Sequence, residues 1–527
     1  MIYRSPYPDV EIPDTPLTPF VFQRAVELAD KTALVCGVTG QRYTYAQLHD
    51  AVLRAAAGLH ARGLQQRDVV AIISPNVPDF SVAFHAVATL GAVNSTINPV
   101  STAGEIARQL ADSQAVMIFT VPQMVEKCAE AAKGTHVREI VAFGDAPGAT
   151  SFATLLTHGT VVPNVEIDAG HDLVALPYSS GTSGTPKGVM LTHRNLVANL
   201  CQMTAVSHLI EESDTLLGVL PFFHIYGMTV ILNGALVQGA TTVTLPKFEL
   251  ELFLATIQKY KVTFVNLVPP ILLALAKHPL VASYDLTSLR GVGSGAAPLG
   301  EDLAGAAATR LNIKVRQGYG LTETSPVTHF HPMESDVVKL SSVGPAVPNT
   351  DCRIVDPVSG ADVAPGERGE LWIRGPQVMK GYFHRPDATA ECMTDDGWFK
   401  TGDVALVDDA GWFYIVDRVK ELIKYKGMQV APAELEAVLL AHPAIADAAV
   451  IPVADEEAGE IPKAFVVMKG AATADEIMAF VAARVAPYKK VRRVEVVEQI
   501  PKSASGKILR RVLVEQERAK GIAAAPA

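Results

Sequence analysis

The sequence predicts a large α/β domain followed by a smaller α+β domain. Three observations support this prediction. Apolar runs of strand length alternate with helical patterns in the first part of the chain, short alternating strands with Gly and Asp turns follow Gly344, and the pattern changes again after residue 420. Because 527 residues exceed the size at which one core divides, two or more domains are expected.

The first part of the chain reads as βαβ units around a parallel sheet. "DVVAIIS" at 68–74 predicts a strand, and "PDFSVAFHAVATLGA" behind it predicts a helix. The strand-like "AVMIFT" is likewise followed by the helical "VPQMVEKCAEAA", and then by "HVREIVAF". Strands that alternate with helices in this order are typical of parallel sheets flanked by helices.

A polar loop follows the next predicted strand. "DLVALPY" at 172–178 predicts a buried strand, and Thr192 is a plausible cap for a helix in "HRNLVANL". Between them, "SSGTSGTPKGV" combines glycines, hydroxyl side chains and Lys187, which suits close backbone approach to phosphate oxygens. It is not the standard P-loop, because Pro186 precedes the lysine and Gly188 follows it.

The stretch 215–245 carries no charged residue and is long enough to cross a bilayer. Pro221, His224, Asn233 and Gln238 interrupt it, and no basic cluster flanks it. We therefore expect a buried strand, a turn at "PFFHIYG" and a buried helix that lines a pocket.

The last third contains two further patterns. "DCRIVDP", "GELWIRG" and "WFKTGDVALVDDAGWFYIVDR" predict a small antiparallel β region. After residue 420, Pro432 suits the first turn of a helix, "TADE" at 473–476 has capping-box spacing, and "KAFVVM" and "VRRVEVVE" predict strands. These elements indicate a compact α+β domain.

Composition excludes several classes of protein. The net charge is −10 and no long run of Lys or Arg occurs, so neither nucleic acid nor an anionic membrane is an expected partner. Five cysteines, scattered and without a CxxC pair, favour neither a disulfide framework nor a zinc site. The start of the chain does not have the pattern of a signal peptide, so we expect a cytoplasmic protein.

Six motifs follow one another along the chain: "YSSGTSGTPKGVMLTHRN", "QGYGLTET", "GELWIRGPQVMKGY", "DGWFKTGD", "DRVKELIKYKGMQVAPAELE" and "PKSASGKILRR". In this order they resemble the adenylate-forming superfamily of acyl-CoA synthetases, luciferases and adenylation domains. "PFFHIYG", "VPPILLALAKHPLV" and "SGAAPLG" are similar to the 4-coumarate:CoA ligase branch. The resemblance implies that the α+β part is a mobile lid: an adenylation domain at 1–416, a hinge at 417–420 with Lys420 as its pivot, and a lid at 421–527.

The resemblance also implies ATP, Mg²⁺ and coenzyme A as cosubstrates and cofactor. Lys507 is the chief catalytic candidate, because a flexible lysine could offset the repulsion between a carboxylate and the α-phosphate. Thr322 is expected at the phosphates, Glu323 at Mg²⁺, and His224 beside the substrate carboxylate. The expected nucleotide-binding residues are Ser179, Ser180, Gly181, Thr182, Ser183, Lys187, Ala296, Ala297, Gln317, Gly318, Tyr319, Gly320, Thr322, Asp403, Arg418, Lys424, Gln429 and Lys507.

Separate residues are implied for the acid and for coenzyme A. The acyl pocket is expected to contain Ile225, Tyr226, Val230, Gly293, Ala296, Gly320, Pro326 and Val327. Gly293 departs from the bulkier residue that plant members often carry, which predicts a deeper pocket. Lys247, Lys426 and Gly427 are expected at coenzyme A. Lys424 and Gln429 would contact the nucleotide in one lid pose, and Lys426 and Gly427 would line the thiol entrance in the other.

The sequence therefore predicts an ATP-dependent carboxylate:CoA ligase that forms an acyl-AMP and then an acyl-CoA, with hydroxycinnamates or other aryl acids as substrates. Four alternatives stay open. A medium-chain or long-chain fatty acid ligase would share the nucleotide motifs, and a stand-alone adenylation enzyme would load a carrier protein. A luciferase-like oxidation would consume oxygen. A catalytically inactive nucleotide-binding regulator would bind without turnover, although the polar motif positions are intact.

Overall fold

The computed structural model describes residues 1–179, 186–207, 210–297, 299–332, 338–426, 428–455, 458–503 and 506–523, without the side chains of 207, 429 and 521–523. Within them, a large domain contains three sheets and a C-terminal domain contains a fourth. The predicted fold class is confirmed, since the large domain is built on parallel sheets flanked by helices and the C-terminal domain is α+β.

The first sheet has nine strands among the described residues and is parallel through its centre. Its order is Tyr178–Ser179, Lys187–Thr192, Leu173–Ala175, Val93–Ile97, Val69–Ile73, Met117–Thr120, Glu139–Ala142 and Thr150–Ser151, and Gly381–Tyr382 pairs with Lys187–Thr192. The predicted strand at 172–178 is divided here into Leu173–Ala175 and Tyr178–Ser179. Both pair antiparallel with Lys187–Thr192.

The second sheet has eight strands among the described residues. Its order is Val327–Phe330, Lys314–Gly320, Gly291–Ser294, Phe264–Leu267, Thr215–Gly218, Thr241–Thr244, Thr32–Cys36 and Arg42–Thr44. The strands are parallel from Lys314–Gly320 to Thr32–Cys36, and the two edge strands are antiparallel. The carboxyl ends of its central strands therefore lie at one edge, where ligands bind in open α/β sheets.

Helices cover both parallel sheets. In the large domain they are Leu17–Val21, Tyr45–Ala61, Pro78–Thr89, Ala103–Ser113, Val125–Ala132, His193–Ser207, Tyr226–Asn233, Gly234–Gln238, Leu250–Tyr260, Pro269–Lys277, Glu301–Leu311 and Pro386–Cys392, with short 3₁₀ turns at Pro122–Met124, Phe152–Thr157, Pro279–Ser283 and Thr322–Thr324. Helix Pro78–Thr89 is buried over nearly its whole length, and its Phe80 and Phe84 belong to the main core. Thr192 accepts a hydrogen bond from the Asn195 N–H, as expected of a cap (3.1 Å).

The charge-free stretch 215–245 folds inside the large domain. It contains strand Thr215–Gly218, the π-helix Tyr226–Asn233, helix Gly234–Gln238 and strand Thr241–Thr244. The order of the first strand and the helical segment agrees with the expected strand, turn and buried helix. Nowhere in the described part of the chain is a helix both long enough and apolar enough to cross a membrane.

The third sheet is antiparallel and holds, in order, Tyr3–Arg4, Asp351–Val355, Gly369–Arg374, Phe399–Val407 and Phe413–Arg418. The C-terminal domain has a sheet of Met428–Val430, Ile423–Tyr425, Gly459–Met468 and Ile445–Asp455, with Arg493–Val496 parallel to Gly459–Met468. Its helices are Pro432–Leu440, Ala474–Ala482 and Arg510–Ala523, with a 3₁₀ turn at Pro487–Lys489. The predicted capping box is present, since Thr473 and Glu476 exchange hydrogen bonds.

Candidate active site

A cavity of about 960 Å³ lies where the parallel sheets, the antiparallel sheet and the C-terminal domain meet. Its lining includes residues from each of the six ordered motifs, although Ser179 and Lys507, from the first and the last of them, are 328 positions apart in the chain. The predicted residues on its wall are Ser179, Lys187, His224, Ile225, Tyr226, Val230, Ala296, Gly318, Tyr319, Gly320, Thr322, Glu323, Pro326, Val327, Arg418, Lys420 and Lys507.

One side of the cavity is formed by a hydrogen-bonded group of three predicted residues. Tyr319 ends strand Lys314–Gly320, and its hydroxyl donates to Asp403 Oδ2 (2.6 Å). Asp403 lies opposite Arg418 in the antiparallel sheet, and Arg418 Nε is 3.1 Å from Asp403 Oδ1. Asp403 is buried and does not itself line the cavity. From behind the wall, Asp403 therefore fixes both the Tyr319 ring and the Arg418 guanidinium, which do line the cavity.

The opposite side is formed by the strands that flank the polar loop. Ser179 pairs with Lys187 across the antiparallel strands, so both residues are held at the base of the loop. Ser180, Gly181, Thr182 and Ser183 lie outside the described residues. The Lys187 ammonium lies 5.1 Å from the centre of the Tyr382 ring, within cation–π range.

Glu323 lies in the short 3₁₀ turn Thr322–Thr324 and reaches the same side of the cavity. The hydroxyls of Ser179 and Tyr382 both donate to its Oε1 atom (2.7 and 2.9 Å), and its backbone carbonyl accepts from the Met379 N–H (2.8 Å). Within the described ranges, no three His, Cys, Asp or Glu side chains form a metal-binding group. Glu323 alone suits Mg²⁺ nevertheless, because this ion takes most of its ligands from phosphate oxygens and water.

The loop that carries His224 is fixed from the neighbouring sheet. Asn76 is buried; its Nδ2 donates to the carbonyls of Gly218 (2.9 Å) and Leu220 (2.8 Å), and its Oδ1 accepts from the Phe222 N–H (2.8 Å). The Thr96 hydroxyl donates to the carbonyl next to His224, that of residue 223 (2.6 Å). These bonds satisfy loop carbonyls that would otherwise be buried without partners.

The orientation of the His224 ring is set by its own chain. His224 Nδ1 accepts a hydrogen bond from the Tyr226 N–H (3.2 Å), so the proton of the neutral ring is on Nε2. Burial, with a smaller contribution from the Lys507 charge, lowers the pKa of His224 to about 4. The ring is therefore a neutral hydrogen-bond donor at physiological pH.

An apolar chamber continues from His224 into the large domain. Besides the predicted Ile225, Tyr226, Val230, Pro326 and Val327, it contains four residues that sequence analysis missed: Met203, Val206, Phe330 and Val347. The deeper pocket that Gly293 predicts is a separate matter, because Gly293 is not on this lining, and it stays a prediction.

A polar pair interrupts the chamber wall. The Tyr226 hydroxyl donates to Asn266 Oδ1 (3.1 Å), and Asn266 Nδ2 is buried without a partner in the described part of the chain. Gly293 lies beneath this pair, and a Cβ atom there would lie 2.6 Å from Asn266 Oδ1. A larger residue at 293 would therefore require Asn266 to move.

Lys507 enters the cavity from the C-terminal domain. Its loop is closed by two hydrogen bonds, from the Lys507 N–H to Ser503 Oγ (3.1 Å) and from the Ser503 N–H to the Lys507 carbonyl (2.8 Å). A Cβ atom on Gly506 would lie 3.4 Å from a Val268 methyl group, so this loop touches the large domain. Burial and the nearby Arg418 lower the pKa of Lys507, while Asp403 and Glu421 act in the opposite direction.

Several predicted residues do not line the cavity in this arrangement. Lys247 is exposed and forms an ion pair with Glu249 (2.5 Å), and Lys424 and Lys426 lie in the outer hairpin of the C-terminal domain. Gln317 is buried and donates to the carbonyls of Leu299 and Leu340, so its side chain supports the wall from behind. Ala297 and Gly293 also lie off the lining. Gly427 and the Gln429 side chain are outside the described residues.

Two family models match this chain, one in each of the two domains. The AMP-binding enzyme domain matches residues 21–383, and the AMP-binding enzyme C-terminal domain matches residues 434–507. The chain belongs to the AMP-binding enzyme family. The resemblance found in the sequence motifs is thereby confirmed.

Relatives in this family include plant ligases of similar length. The chain is 43% identical over 525 residues to 4-coumarate–CoA ligase 1 of Petroselinum crispum, covering 97% of this chain and 96% of the relative. It is 44% identical over 530 residues to 4-coumarate–CoA ligase of Pinus taeda, covering 98% of each. The predicted similarity to this branch is therefore confirmed.

Solved structures of the AMP-binding family share the fold. ATP-bound MatB from Rhodopseudomonas palustris superposes with a TM-score of 0.86 at 28% identity, covering 95% of this chain and 99% of that one. The anthranilate CoA ligase AuaEII in complex with anthranoyl-AMP gives a TM-score of 0.88 at 25% identity, covering 96% and 98%. Both superpositions extend over at least 95% of this chain, so they include both of its domains.

Sequence analysis missed two polar residues of the site. Tyr382 lies inside the quoted motif "GELWIRGPQVMKGY", but nothing in the motif shows that its hydroxyl reaches Glu323. Asn266 lies three residues before the "PP" of "VPPILL", in a strand that reads as wholly apolar apart from it. A lone amide in a buried strand was the available signal.

Proposed function

We propose that this protein is an ATP-dependent carboxylate:CoA ligase. It forms an acyl-AMP and pyrophosphate, and then an acyl-CoA and AMP. The observation that carries the proposal is the single cavity in which Tyr319 and Arg418, Ser179 and Lys187, His224 with its apolar chamber, and Lys507 all meet. The 4-coumarate–CoA ligases among the relatives support the same reaction.

In the first step, an oxygen of the substrate carboxylate bonds to the α-phosphorus of ATP. The bond from that phosphorus to the bridging oxygen breaks, and its electron pair leaves with pyrophosphate. Two anions must approach each other, so the cavity must supply positive charge and hydrogen-bond donors. Lys507 from the C-terminal domain and Lys187 from the large domain supply charge, and the His224 Nε2–H donates to the carboxylate.

The nucleotide is assigned to the wall between the polar loop and the antiparallel sheet. The face of Tyr319 lies beside adenine, with Ala296 and Ala297 opposite, while Asp403 and Arg418 hold the ribose. Asp403 Oδ2 accepts a hydrogen bond from Tyr319, and Oδ1 forms an ion pair with Arg418. Each carboxylate oxygen has a second lone pair that can accept from a ribose hydroxyl. Thr322 and the polar loop hold the phosphates.

Mg²⁺ is assigned to Glu323, with phosphate oxygens and water completing its shell. When bound, the ion neutralises charge on the phosphates. Ser179 and Tyr382 orient the carboxylate through Oε1.

In the second step, the sulfur of coenzyme A bonds to the acyl carbon, the bond to the AMP oxygen breaks, and the thiol proton passes to solvent. The hinge at 417–420, with Lys420 as pivot, separates the domains at 1–416 and 421–527. Rotation there would withdraw Lys507 and bring Lys426 and Gly427 to the thiol entrance, with Lys247 at the phosphates of coenzyme A. Lys424 and Gln429 would contact the nucleotide when the lid is in the pose that forms the acyl-AMP.

Hydroxycinnamates or other aryl acids are the proposed substrates, with the ring in the chamber behind His224. The Tyr226–Asn266 pair offers a polar contact to a ring substituent. A fatty acid ligase is the second candidate, because Met203, Val206, Phe330 and Val347 add apolar wall to the chamber beyond the predicted acyl pocket. The cytoplasm is the proposed location, and the five free cysteines support a reducing compartment.

The test is pyrophosphate release with a panel of aromatic and aliphatic acids, followed by product analysis with free coenzyme A. We expect 4-coumarate to turn over and to give a coenzyme A thioester. Much faster turnover of octanoate than of 4-coumarate at equal concentration would contradict the aryl assignment. Pyrophosphate release without a thioester from free coenzyme A would instead indicate a carrier-protein thiol as acceptor.

A further inference from the structure

We propose that Tyr382 is a positioning residue that fixes the Glu323 carboxylate and the Lys187 ammonium relative to each other at the phosphate side of the cavity. This inference rests on the proposed function, which places these two groups at the nucleotide phosphates and their metal ion. Tyr382 is buried to all but 8% of its surface, and the remainder lines the cavity.

The backbone of Tyr382 is fixed directly beside the polar loop. Strand Gly381–Tyr382 pairs antiparallel with Lys187–Thr192, so that Tyr382 lies opposite Val189. The next residue along the chain is tied to the same strand, because the Phe383 N–H donates to the Gly188 carbonyl (2.8 Å). The Tyr382 N–H donates to Thr389 Oγ1 (2.9 Å). The backbone that carries the phenol ring is therefore held by the strand that begins at Lys187.

The Tyr382 hydroxyl fixes one oxygen of Glu323. It donates to Oε1 (2.9 Å), and the Ser179 hydroxyl donates to the same atom (2.7 Å). Across the described ranges, no hydrogen bond is made to Oε2. Two donors on Oε1 oppose rotation of the carboxylate, so that Oε2 is the oxygen presented to a cation.

The ring of Tyr382 acts on the other group. The Lys187 ammonium lies over its face, 5.1 Å from the centre. Lysine has a flexible four-carbon stem, and a cation–π contact limits the positions that its charge occupies. One side chain thus sets the distance between a carboxylate and an ammonium that bind opposite charges of the same metal–nucleotide complex.

The experiment measures Mn²⁺ affinity of the full-length protein with α,β-methylene-ATP, an analogue that cannot release pyrophosphate, from the electron paramagnetic resonance signal of free Mn²⁺. Tyr382→Phe keeps the ring and removes the hydroxyl, and we expect about a tenfold weaker Mn²⁺ affinity, the size of one hydrogen bond to a charged group. Ser179→Ala removes the other donor to Oε1 and should weaken binding similarly. Tyr382→Leu should also weaken nucleotide binding at saturating Mn²⁺, because Lys187 loses its ring.

Tyr178→Phe is the matched control. Tyr178 lines the same cavity and its hydroxyl also donates to a carboxylate, but to Asp112 Oδ2 (2.7 Å) rather than to Glu323. We expect its Mn²⁺ affinity to stay within twofold of the unsubstituted protein. Equal losses in Tyr178→Phe and Tyr382→Phe would overturn the positioning role, because the loss would then not depend on Glu323.

Glu323→Gln separates this inference from the proposed function. We expect it to weaken Mn²⁺ binding, and Tyr382→Phe to cause no further loss in the Glu323→Gln background. If Glu323→Gln weakens binding but Tyr382→Phe alone does not, the inference fails and the metal assignment stands. If Glu323→Gln leaves Mn²⁺ affinity unchanged, the metal assignment fails, and the inference about Tyr382 fails because it rests on that assignment.

Discussion

At the scale of single residues, His224 is the clearest case in which local geometry decides chemistry. Its Nδ1 atom is occupied by the Tyr226 N–H, and burial keeps the ring neutral. The imidazole therefore works as a hydrogen-bond donor rather than as a charge. Another side chain that has a neutral N–H donor and a similar length should therefore retain part of the function of this imidazole.

This leads to a prediction about two substitutions at His224. His224→Gln retains a donor and should lower kcat/KM for the acid by less than tenfold. His224→Leu removes the donor and should lower it by about 10-fold to 100-fold, the cost of leaving a carboxylate without one hydrogen bond. Steady-state pyrophosphate release at varied acid concentration measures both, and equal loss in the two variants would contradict a donor role.

Sequence analysis at this scale found residues through the family resemblance of the motifs that contain them. Lys507, Glu323, Tyr319 and Lys187 occur in motifs where charge or an exposed ring would serve a nucleotide, and all four line the cavity. Asn266 could not be found in this way. Its role depends on the Tyr226 hydroxyl, which is 40 positions away in the chain and meets it only in the folded sheet.

At the scale of elements, the π-helix Tyr226–Asn233 places both His224 and the chamber wall. Its first turn packs against the preceding loop so closely that a Cβ atom on Gly227 would lie 2.1 Å from the Pro221 carbonyl oxygen. No side chain fits there unless the loop moves, and that loop carries His224. π-helical turns are often found at functional sites.

We therefore predict that Gly227→Ala lowers kcat/KM for the acid at least tenfold and lowers the thermal midpoint by several degrees. Gly234→Ala is the control, since a Cβ atom there is 3.3 Å from the nearest neighbour, the Thr229 carbonyl oxygen, and alanine favours the helix. Steady-state kinetics and thermal unfolding measure the two effects. A Gly227→Ala variant with unaltered acid kinetics would show that the contact is not needed to place His224.

Most elements were predictable because their signal is local. The strand at 69–73, the helix at 78–89 and the capping box at Thr473 follow from periodicity and caps. The π form of Tyr226–Asn233 was not predictable, because no residue pattern in "YGMTVILN" distinguishes a π-helix from an α-helix, and its close approach to residue 221 is visible only in the folded chain. The division of 172–178 into two strands was also missed; both pair with Lys187–Thr192, a partner that periodicity does not identify.

At the scale of the whole molecule, buried histidines couple the fold to pH. His193 Nδ1 accepts a hydrogen bond from the Leu17 N–H (3.0 Å), and burial lowers the pKa of His193 to about 4. Burial also lowers the pKa of His85 to about 3. Because the folded pKa values lie below the unfolded value near 6.5, these histidines leave stability unchanged above pH 6.5 and reduce it as the pH falls from 6.5 toward the folded values.

We predict that the thermal midpoint falls as pH decreases from 7 to 5. Unfolding then takes up one proton for each such histidine, which changes the unfolding free energy by about 1.4 kcal/mol per pH unit per ring. His193→Asn keeps an acceptor for the Leu17 N–H and loses the titrating ring, so its midpoint should fall less over this range. Parallel pH dependence in the two proteins, measured by differential scanning fluorimetry, would contradict this linkage.

The two domains meet at the cavity, and the C-terminal domain contributes Lys507 to it while Lys424 and Lys426 lie outside. The central claim is that one cavity first activates a carboxylate as an acyl-AMP, with Lys507 in place, and then transfers the acyl group after the lid has turned. The boundary near residue 420 stays a prediction from the change in composition. The position of the lid could not be predicted, because both poses use the same sequence.

The most direct test is single-turnover kinetics of Lys507→Ala in the two half-reactions. The account predicts that acyl-AMP formation from ATP and acid is lost by at least 100-fold, because the charge between carboxylate and α-phosphate is missing. Thioester formation from supplied acyl-AMP and coenzyme A should remain within about threefold of the unsubstituted protein, since a tenfold change would already equal about 1.4 kcal/mol. Equal loss in both half-reactions would contradict it.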